Sequence, residues 1–186
     1  MIHDYGLHLL NKILMRSGKT LSDFPPMPLP QGPIGGHPWE DILDNFLLAQ
    51  QLDYDPVEQA DIVTNNQQLF NQEQKNAFNA VMESVNNALG KTLFIHSAGG
   101  CGKTFVCNTI AATVRSHNQV ALCVASSGIA SLLLEGGRTA HSTFKIPIPI
   151  TDTSVARVKR NSLMHDVMKR AKIIIWDEAP MQHKHA

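Results

Sequence analysis

The sequence has only 3 cysteines in 186 residues, and no two of them have the C-x-x-C spacing of a zinc or redox motif. An odd number of cysteines without paired spacing favours reduced thiols over a disulfide framework. The 9 histidines also lack zinc-ligand spacing. No stretch approaches the ~18 consecutive apolar residues of a membrane span, and no secretory signal precedes the first predicted helix. These absences argue against a secreted disulfide scaffold, a zinc domain and a membrane protein, and we expect a soluble intracellular protein with no membrane partner.

The net charge is zero, but the charges are unevenly distributed along the chain. Residues 1–70 carry 3 basic and 9 acidic side chains, whereas residues 71–186 carry 13 basic and 7 acidic ones. A basic half suits a polyanionic partner such as a nucleotide or a nucleic acid. The alternative is ordinary surface charge that happens to be unevenly placed.

The first third of the chain predicts short helices separated by a proline-rich segment. "YGLHLLNKILMRSG" places Leu7, Leu10 and Leu14 on one helical face and ends at Gly18. "FPPMPLPQGPIGGHP" excludes a helix or a central strand. "WEDILDNFLLAQQL" predicts a second short helix, and Pro56 begins a third.

From residue 69 the pattern becomes that of an α/β protein. Asn71 and Gln74 form a capping pair for a helix that runs to Gly90. Three continuous apolar runs follow, as expected of strands covered on both faces of a parallel sheet: "TLFIH" (92–96), "VALCVA" (120–125) and "KIIIWD" (172–177). A helix that starts at Lys103 completes a strand–helix–strand unit, so we predict a parallel sheet flanked by helices.

The stretch "HSAGGCGKTF" (96–105) is similar to the phosphate-binding loop G-x-x-x-x-G-K-[ST], with Ser97 where the motif opens on glycine. It lies between a predicted strand and a predicted helix, which is the context that the motif requires. Glycines let the backbone N–H groups turn toward phosphate oxygens, the lysine reaches the β- and γ-phosphates, and the threonine hydroxyl helps to hold Mg²⁺. We therefore predict an ATP–Mg²⁺ site in the loop residues Ser97, Ala98, Gly99, Gly100, Cys101, Gly102, Lys103 and Thr104.

Two acids directly follow the last apolar run, in "IIIWDEAPM". Ligands of open α/β sheets bind at the carboxyl edge, where these side chains emerge. We predict that Asp177 helps to hold Mg²⁺ and that Glu178 orients and deprotonates the attacking water. The alternative is a helix N-terminus that carries acids for its dipole.

Together with these motifs, "FNQEQ" (70–74) and "ASSGIASLLLEGGRTAHSTFKIPI" (125–148) resemble the Pif-type family of superfamily-one DNA helicases, in the branch that includes Helitron-transposon helicases. The resemblance is strong over residues 69–185 and weak over residues 21–30. It implies a partial RecA-like lobe of a P-loop NTPase at 69–186, preceded by a helical, proline-rich, acidic leader at 1–68.

The resemblance also implies roles for single residues. Gln74 would read adenine, although a capping role is the simpler explanation. Residues that would contact single-stranded DNA are Ser126, Ser127, Gly128 and His141, and the two serines are also good helix N-caps. Phe144 could touch a base or pack inside. The basic residues Arg157, Lys159 and Arg160 could line the DNA path or form a solvated loop.

The resemblance implies 5′-to-3′ DNA unwinding driven by ATP hydrolysis, in which Lys103 and Glu178 are catalytic. It also implies the family's roles in DNA repair, recombination and telomere maintenance, and a location in the nucleus rather than the mitochondrion. The family's second lobe, and the strand that inserts beside the phosphate-loop strand, are not found in these 186 residues. We therefore expect this amino-terminal fragment alone to be inactive and unstable as a domain. The alternative is a gene fragment or transposon remnant that binds nucleotide at most.

Overall fold

The computed structural model describes residues 2–15, 18–30 and 45–185. It confirms the predicted α/β class, because a three-stranded parallel sheet carries helices on both faces. No helix in these three ranges is long and apolar enough to cross a membrane. The elements follow in the order α1 (Ile2–Met15), α2 (Phe46–Gln51), α3 (Pro56–Gln68), α4 (Gln72–Asn86), α5 (Lys103–Ser116), β1 (Val120–Ala125), α6 (Gly128–Leu133), β2 (Arg138–Thr139), α7 (Ala140–Phe144), α8 (Leu163–Arg170) and β3 (Ala171–Asp177), with 3₁₀ turns at Leu21–Asp23 and Ala179–Met181.

Helix α1 is the first helix that the apolar stripe predicts. It stops before Gly18, whose φ of 73° is left-handed and whose N–H donates to the Met15 carbonyl at 3.1 Å. The stripe is only partly covered, since Leu10 remains 44% exposed. The proline-rich segment has no helix or strand over residues 24–30, as predicted, and its remainder lies outside the described residues, as does the start of the second predicted helix (39–44).

Helix α2 packs against the sheet, and α3 packs against α5. On one face of the sheet, Leu48 of α2 and its C-cap residue Leu52 form an apolar cluster with Val120, Leu122 and Val167. Helix α3 begins at Pro56, as predicted, and lies along α5, where its Asn66 amide donates to the Thr109 hydroxyl at 3.1 Å. Part of the predicted acidic leader therefore shares its packing with the sheet; the division at residues 68 and 69 stays a prediction.

A buried arginine of α5 holds the connection between α2 and α3 against the rest of the fold. Arg115 is 2% exposed, and its guanidinium lies 4.0 Å from the centre of the Tyr54 ring. One guanidinium nitrogen donates to the Glu135 carbonyl at 2.9 Å, and another lies 3.9 Å from the Glu135 carboxylate. Because a buried charge is stable only when it is paired, these contacts hold three distant parts of the chain in one arrangement.

The sheet has the order β2–β1–β3, with every pair parallel. All six residues of the central strand β1 are buried, as its continuous apolar run predicts. Strand β3 is less covered than predicted, because it pairs on one side only and Ile174 is 45% exposed. In the register of β1 with β3, Ala125 faces Asp177. The residues that follow both strands consequently meet at one edge of the sheet.

The prediction of a strand at 92–96 is wrong for this structure. The segment is in no sheet, and no strand among the described residues pairs with it. Phe94 is 71% exposed, although Ile95 still packs against the core cluster of α4, α5 and β1. A strand exists through hydrogen bonds to a neighbour, and an apolar run without a neighbour remains extended but unpaired. Composition alone did not reveal that missing partner.

Candidate nucleotide-binding and catalytic site

The loop of residues 97–102 leads directly into α5, a helix of 14 residues. Gly102 occupies the N-cap position with φ 77° and ψ 28°, and Gly100 also has a φ of 77°. This left-handed conformation is unfavourable for residues with a Cβ. A Cβ on Gly102 would also lie 2.6 Å from the side-chain nitrogen of Gln74. The backbone conformation therefore favours glycine at this position, and a side chain there would displace the Gln74 amide.

Gln74 performs the predicted capping role and also contacts the loop. Its side-chain oxygen accepts from the Asn71 N–H at 3.1 Å, while the Asn71 side chain accepts from the Gln74 N–H at 2.8 Å. The amide nitrogen of the same side chain donates to the Cys101 carbonyl at 3.0 Å. The first turn of α4 is thus bonded to the phosphate-type loop.

Lys103 lies over the loop to which it belongs. Its ammonium group donates to the carbonyls of Ser97 and Ala98, both at 2.9 Å, and lies 3.4 Å from the Ser97 hydroxyl. The two short contacts are to backbone atoms, which glycine would supply equally well. Serine at the position that normally opens the motif is therefore compatible with this loop geometry.

The hydroxyl of Thr104 donates to a carboxylate oxygen of Asp177 at 3.2 Å. These two residues come from the start of α5 and the end of β3, and the fold brings them together as the sequence predicts. Both offer hard oxygen atoms, which Mg²⁺ prefers, and Mg²⁺ commonly binds one or two carboxylates together with phosphate oxygens. The described residues contain no group of three or more His, Cys, Asp or Glu side chains that could hold a metal. The donor set therefore fits a magnesium ion that is shared with a nucleotide.

Cys107 lies one turn after Thr104 on α5. Burial, with a further contribution from the negative charge of Asp177, raises the pKa of its thiol to about 12. The thiol consequently stays protonated at neutral pH, and only thiolates are good nucleophiles and metal ligands. Cys107 packs against the apolar core next to the site, and its protonated thiol is a poor nucleophile and a poor metal ligand.

Glu178 has an unusual backbone conformation, with φ 53° and ψ 34°. Its N–H donates to the second carboxylate oxygen of Asp177 at 2.9 Å. Left-handed backbone costs a residue with a Cβ about 1–2 kcal/mol, and this hydrogen bond compensates part of it. The exposed carboxylate accepts from the Ser127 hydroxyl at 3.4 Å. The conformation directs Glu178 across the sheet edge, toward the segment that follows β1.

That segment contains three of the residues predicted to contact DNA. Ser127 is the N-cap of α6, where its side chain accepts from the Ala130 N–H at 3.2 Å, so the capping alternative is confirmed for this serine. Ser126 accepts from the Trp176 indole at 3.1 Å, and Gly128 is exposed at the start of α6. His141 of α7 is half-buried, and its ring lies 3.4 Å from the Gln182 amide.

Trp176 is a site residue that the sequence motifs did not single out. Its ring lies 5.5 Å from that of Phe144, which is 9% exposed, so the packing alternative for Phe144 is confirmed. Trp176 thereby joins α7, β3 and the segment after β1. Its position next to Asp177 in "IIIWDEAPM" is the pattern that could have indicated it. The basic residues Arg157, Lys159 and Arg160 are exposed on a segment without helix or strand.

Comparisons with known proteins identify relatives of this arrangement. The family model of PIF1-like helicases matches residues 69–186. Among curated proteins, the chain is 29% identical over 122 residues to the ATP-dependent DNA helicase PIF4 of Trypanosoma brucei brucei, covering 61% of this chain and 14% of that protein. It is also 29% identical over 96 residues to the ATP-dependent DNA helicase Pif1 of a Psychrobacter species, covering 50% of this chain and 14% of that protein.

Proposed function

Because the chain belongs to the PIF1-like helicase family, we propose that its residues 69–186 form the nucleotide-binding part of a DNA helicase that hydrolyses ATP with Mg²⁺. The observation that carries this proposal is the 3.2 Å contact between Thr104 and Asp177, where Thr104 directly follows the loop lysine Lys103. The three side chains come from two elements that are distant in sequence. Their convergence provides cation and oxygen groups where a magnesium nucleotide needs them.

The proposed roles follow from the chemistry of each side chain. The exposed N–H groups of the loop and the N-terminus of α5 bind phosphate oxygens. Lys103 exchanges its carbonyl partners for phosphate oxygens, which is possible because its contacts are hydrogen bonds of a flexible side chain to two backbone carbonyls. Thr104 and Asp177 hold Mg²⁺, which when bound withdraws charge from the phosphates. Glu178 accepts a proton from the attacking water.

Gln74 is the proposed adenine-binding residue. Its amide group can both donate to and accept from the edge of a base. In the structure this amide bonds to Asn71 and to Cys101 of the loop, so adenine binding would exchange at least one of those bonds. The contact with Cys101 supports the proposal, because it places the side chain beside the loop that would hold the phosphates.

The proposed second ligand is single-stranded DNA, bound by Ser126, Ser127, Gly128 and His141. Serine hydroxyls and the N–H groups at the start of a helix are suitable donors to phosphate oxygens. The basic character of residues 71–186 suits the same partner. Translocation from 5′ to 3′, nuclear localisation and roles in repair, recombination and telomere maintenance are parts of this proposal that rest on the family resemblance alone.

The chain spans only 14% of each of the two curated relatives, so the activity proposed is that of a longer helicase. For the 186 residues alone we propose nucleotide binding at most. The segment at 92–96 favours this view, because it directly precedes the loop and no strand among the described residues pairs with it. An inactive remnant with the same sequence would bind ATP without turning it over.

Two substitutions test the proposed roles in the full-length protein, by which we mean a longer helicase that contains these 186 residues. Lys103→Ala should weaken ATP binding, because it removes a positive charge from the loop. Glu178→Gln should retain ATP binding and abolish turnover, because only activation of the water is lost. Equilibrium binding of a fluorescent ATP analogue and steady-state hydrolysis distinguish the two effects. Equal loss of binding in both variants would overturn the role of Glu178, and wild-type turnover in Lys103→Ala would overturn the site itself.

A further inference from the structure

The segment that follows β1 is bonded to the end of β3 at three successive positions. The Ser126 N–H donates to the Asp177 carbonyl at 3.3 Å, and the Trp176 indole donates to the Ser126 hydroxyl at 3.1 Å. The third bond runs from the Ser127 hydroxyl to the Glu178 carboxylate at 3.4 Å. The first two fix the positions of the two segments, while the third joins a side chain proposed to bind DNA to one proposed to activate water.

The Ser127 hydroxyl has a single proton to donate. Its oxygen accepts from the Ala130 N–H as the cap of α6, and its proton is directed to Glu178. A DNA phosphate is an acceptor too, so it can accept from this hydroxyl only by replacing the Glu178 carboxylate as the acceptor. The two acceptors therefore compete for one donor.

Building on the proposed function, we propose that Ser127 is a positioning residue. Its hydrogen bond keeps the Glu178 carboxylate away from the attacking water until a phosphate of single-stranded DNA accepts from the serine hydroxyl instead. While the bond exists, a carboxylate oxygen of Glu178 is directed along the sheet edge toward α6. When a DNA phosphate binds Ser127, that oxygen is released and can turn toward a water. This exchange couples DNA binding to ATP hydrolysis through one hydrogen bond, and it requires no movement of the sheet.

Thermodynamic linkage supplies a test that involves no hydrolysis. If Glu178 and DNA compete for Ser127, removing the carboxylate must strengthen DNA binding. In the full-length protein without nucleotide, we expect Glu178→Ala to bind a fluorescein-labelled oligo(dT) about 2- to 10-fold more tightly than the wild type, the range that one hydrogen bond spans. In a Ser127→Gly background the same substitution should give no gain. Glycine is the chosen replacement because it is tolerated at N-cap positions.

Loss of a negative charge near DNA could also strengthen binding, and Asp177→Asn controls for this effect. It removes one charge at the same sheet edge, from a side chain that bonds Thr104 and the Glu178 N–H. A gain from Asp177→Asn as large as that from Glu178→Ala would attribute the effect to charge and overturn the proposal. A gain from Glu178→Ala that persists in the Ser127→Gly background would also overturn it.

The rate of ATP hydrolysis provides a second measurement. Ser127→Gly should raise the rate in the absence of DNA and lower the ratio of DNA-stimulated to basal rates, whereas Ser127→Thr, which keeps the hydroxyl, should restore both. Ser131→Ala is the control for disturbance of α6, since its hydroxyl bonds only within that helix, to Gly128, and its basal rate should match the wild type.

Two further outcomes separate this proposal from the proposed function. A wild-type protein that does not bind the oligo(dT) overturns both. Binding together with a DNA-free rate that Ser127→Gly leaves unchanged overturns the coupling alone.

Discussion

Replacement of Gly102 by alanine should weaken ATP binding more than the same change at the other loop glycines. A side chain there would have to adopt a φ of 77°, at a cost of about 1–2 kcal/mol. Its Cβ would lie 2.6 Å from Gln74 and displace the bond of that side chain to Cys101, which adds about 0.5–1.5 kcal/mol. If ATP binding requires this loop backbone and the bond of Gln74 to Cys101, these terms reduce the competent population and raise Kd about 10- to 300-fold.

The neighbouring glycines provide matched controls for this prediction. At Gly100 the φ is also 77° but a Cβ would meet nothing within 4 Å, so Gly100→Ala should cost only the backbone term, about 5- to 30-fold in Kd. Gly99 has neither constraint, and Gly99→Ala should change Kd by less than about 3-fold. In a Gln74→Ala background the effect of Gly102→Ala should fall to that of Gly100→Ala. Titration of the full-length protein with a fluorescent ATP analogue measures these four changes in Kd. Equal changes in Kd for Gly99→Ala and Gly102→Ala would contradict the prediction.

Three further predictions concern thiols and charge. Cys101 is exposed in the loop, whereas Cys107 is half-buried and Cys123 is buried. Iodoacetamide should therefore modify Cys101 first, and ATP with Mg²⁺ should slow that reaction. Rapid modification of Cys123 would contradict the fold. Burial raises the pKa of the Cys107 thiol to about 12, so between pH ~9 and ~12 the thiol keeps its proton in the folded state and loses it in the unfolded state. Thermal stability should therefore fall across this pH range. Cys107→Ala should make the fall shallower, and an unchanged slope would contradict this prediction. Single-stranded DNA binding by the full-length protein should weaken steeply with salt and differ little between two unrelated oligonucleotides, because phosphate contacts release counterions and carry no base information; a flat salt response would exclude backbone binding.

The local motifs could be predicted from the sequence because their chemistry is local. The loop of residues 97–102 and the cap formed by Asn71 and Gln74 each depend on neighbours within a few positions. Strand β1 was predictable for another reason, because its continuous apolar run is typical of a strand covered on both faces. The closeness of Thr104 and Asp177 was also predictable. Both residues are expected at the carboxyl edge of the parallel sheet, where ligands bind. In the structure the Thr104 hydroxyl lies 3.2 Å from the Asp177 carboxylate, while the magnesium roles of both residues stay a prediction.

Features that depend on distant partners could not be predicted in the same way. The apolar run at 92–96 reads as a strand, but strand formation requires a neighbour that no residue of the run specifies. The contact of Arg115 with Tyr54 and the bond of Ser127 to Glu178 likewise join segments that are far apart in sequence. Each of these side chains has an ordinary local role, as a helix residue or a cap, which hides its long-range contact.

We propose that Lys103, Thr104, Asp177 and Glu178 form a magnesium–ATP site that drives work on DNA. The most direct test is ATP hydrolysis by the full-length protein, measured with and without single-stranded oligonucleotide, in the presence of Mg²⁺ and again after its removal by EDTA. We predict turnover that requires Mg²⁺, rises on addition of the oligonucleotide and disappears in Glu178→Gln. Turnover that persists in Glu178→Gln, or that DNA leaves unchanged in the wild type, would contradict the account.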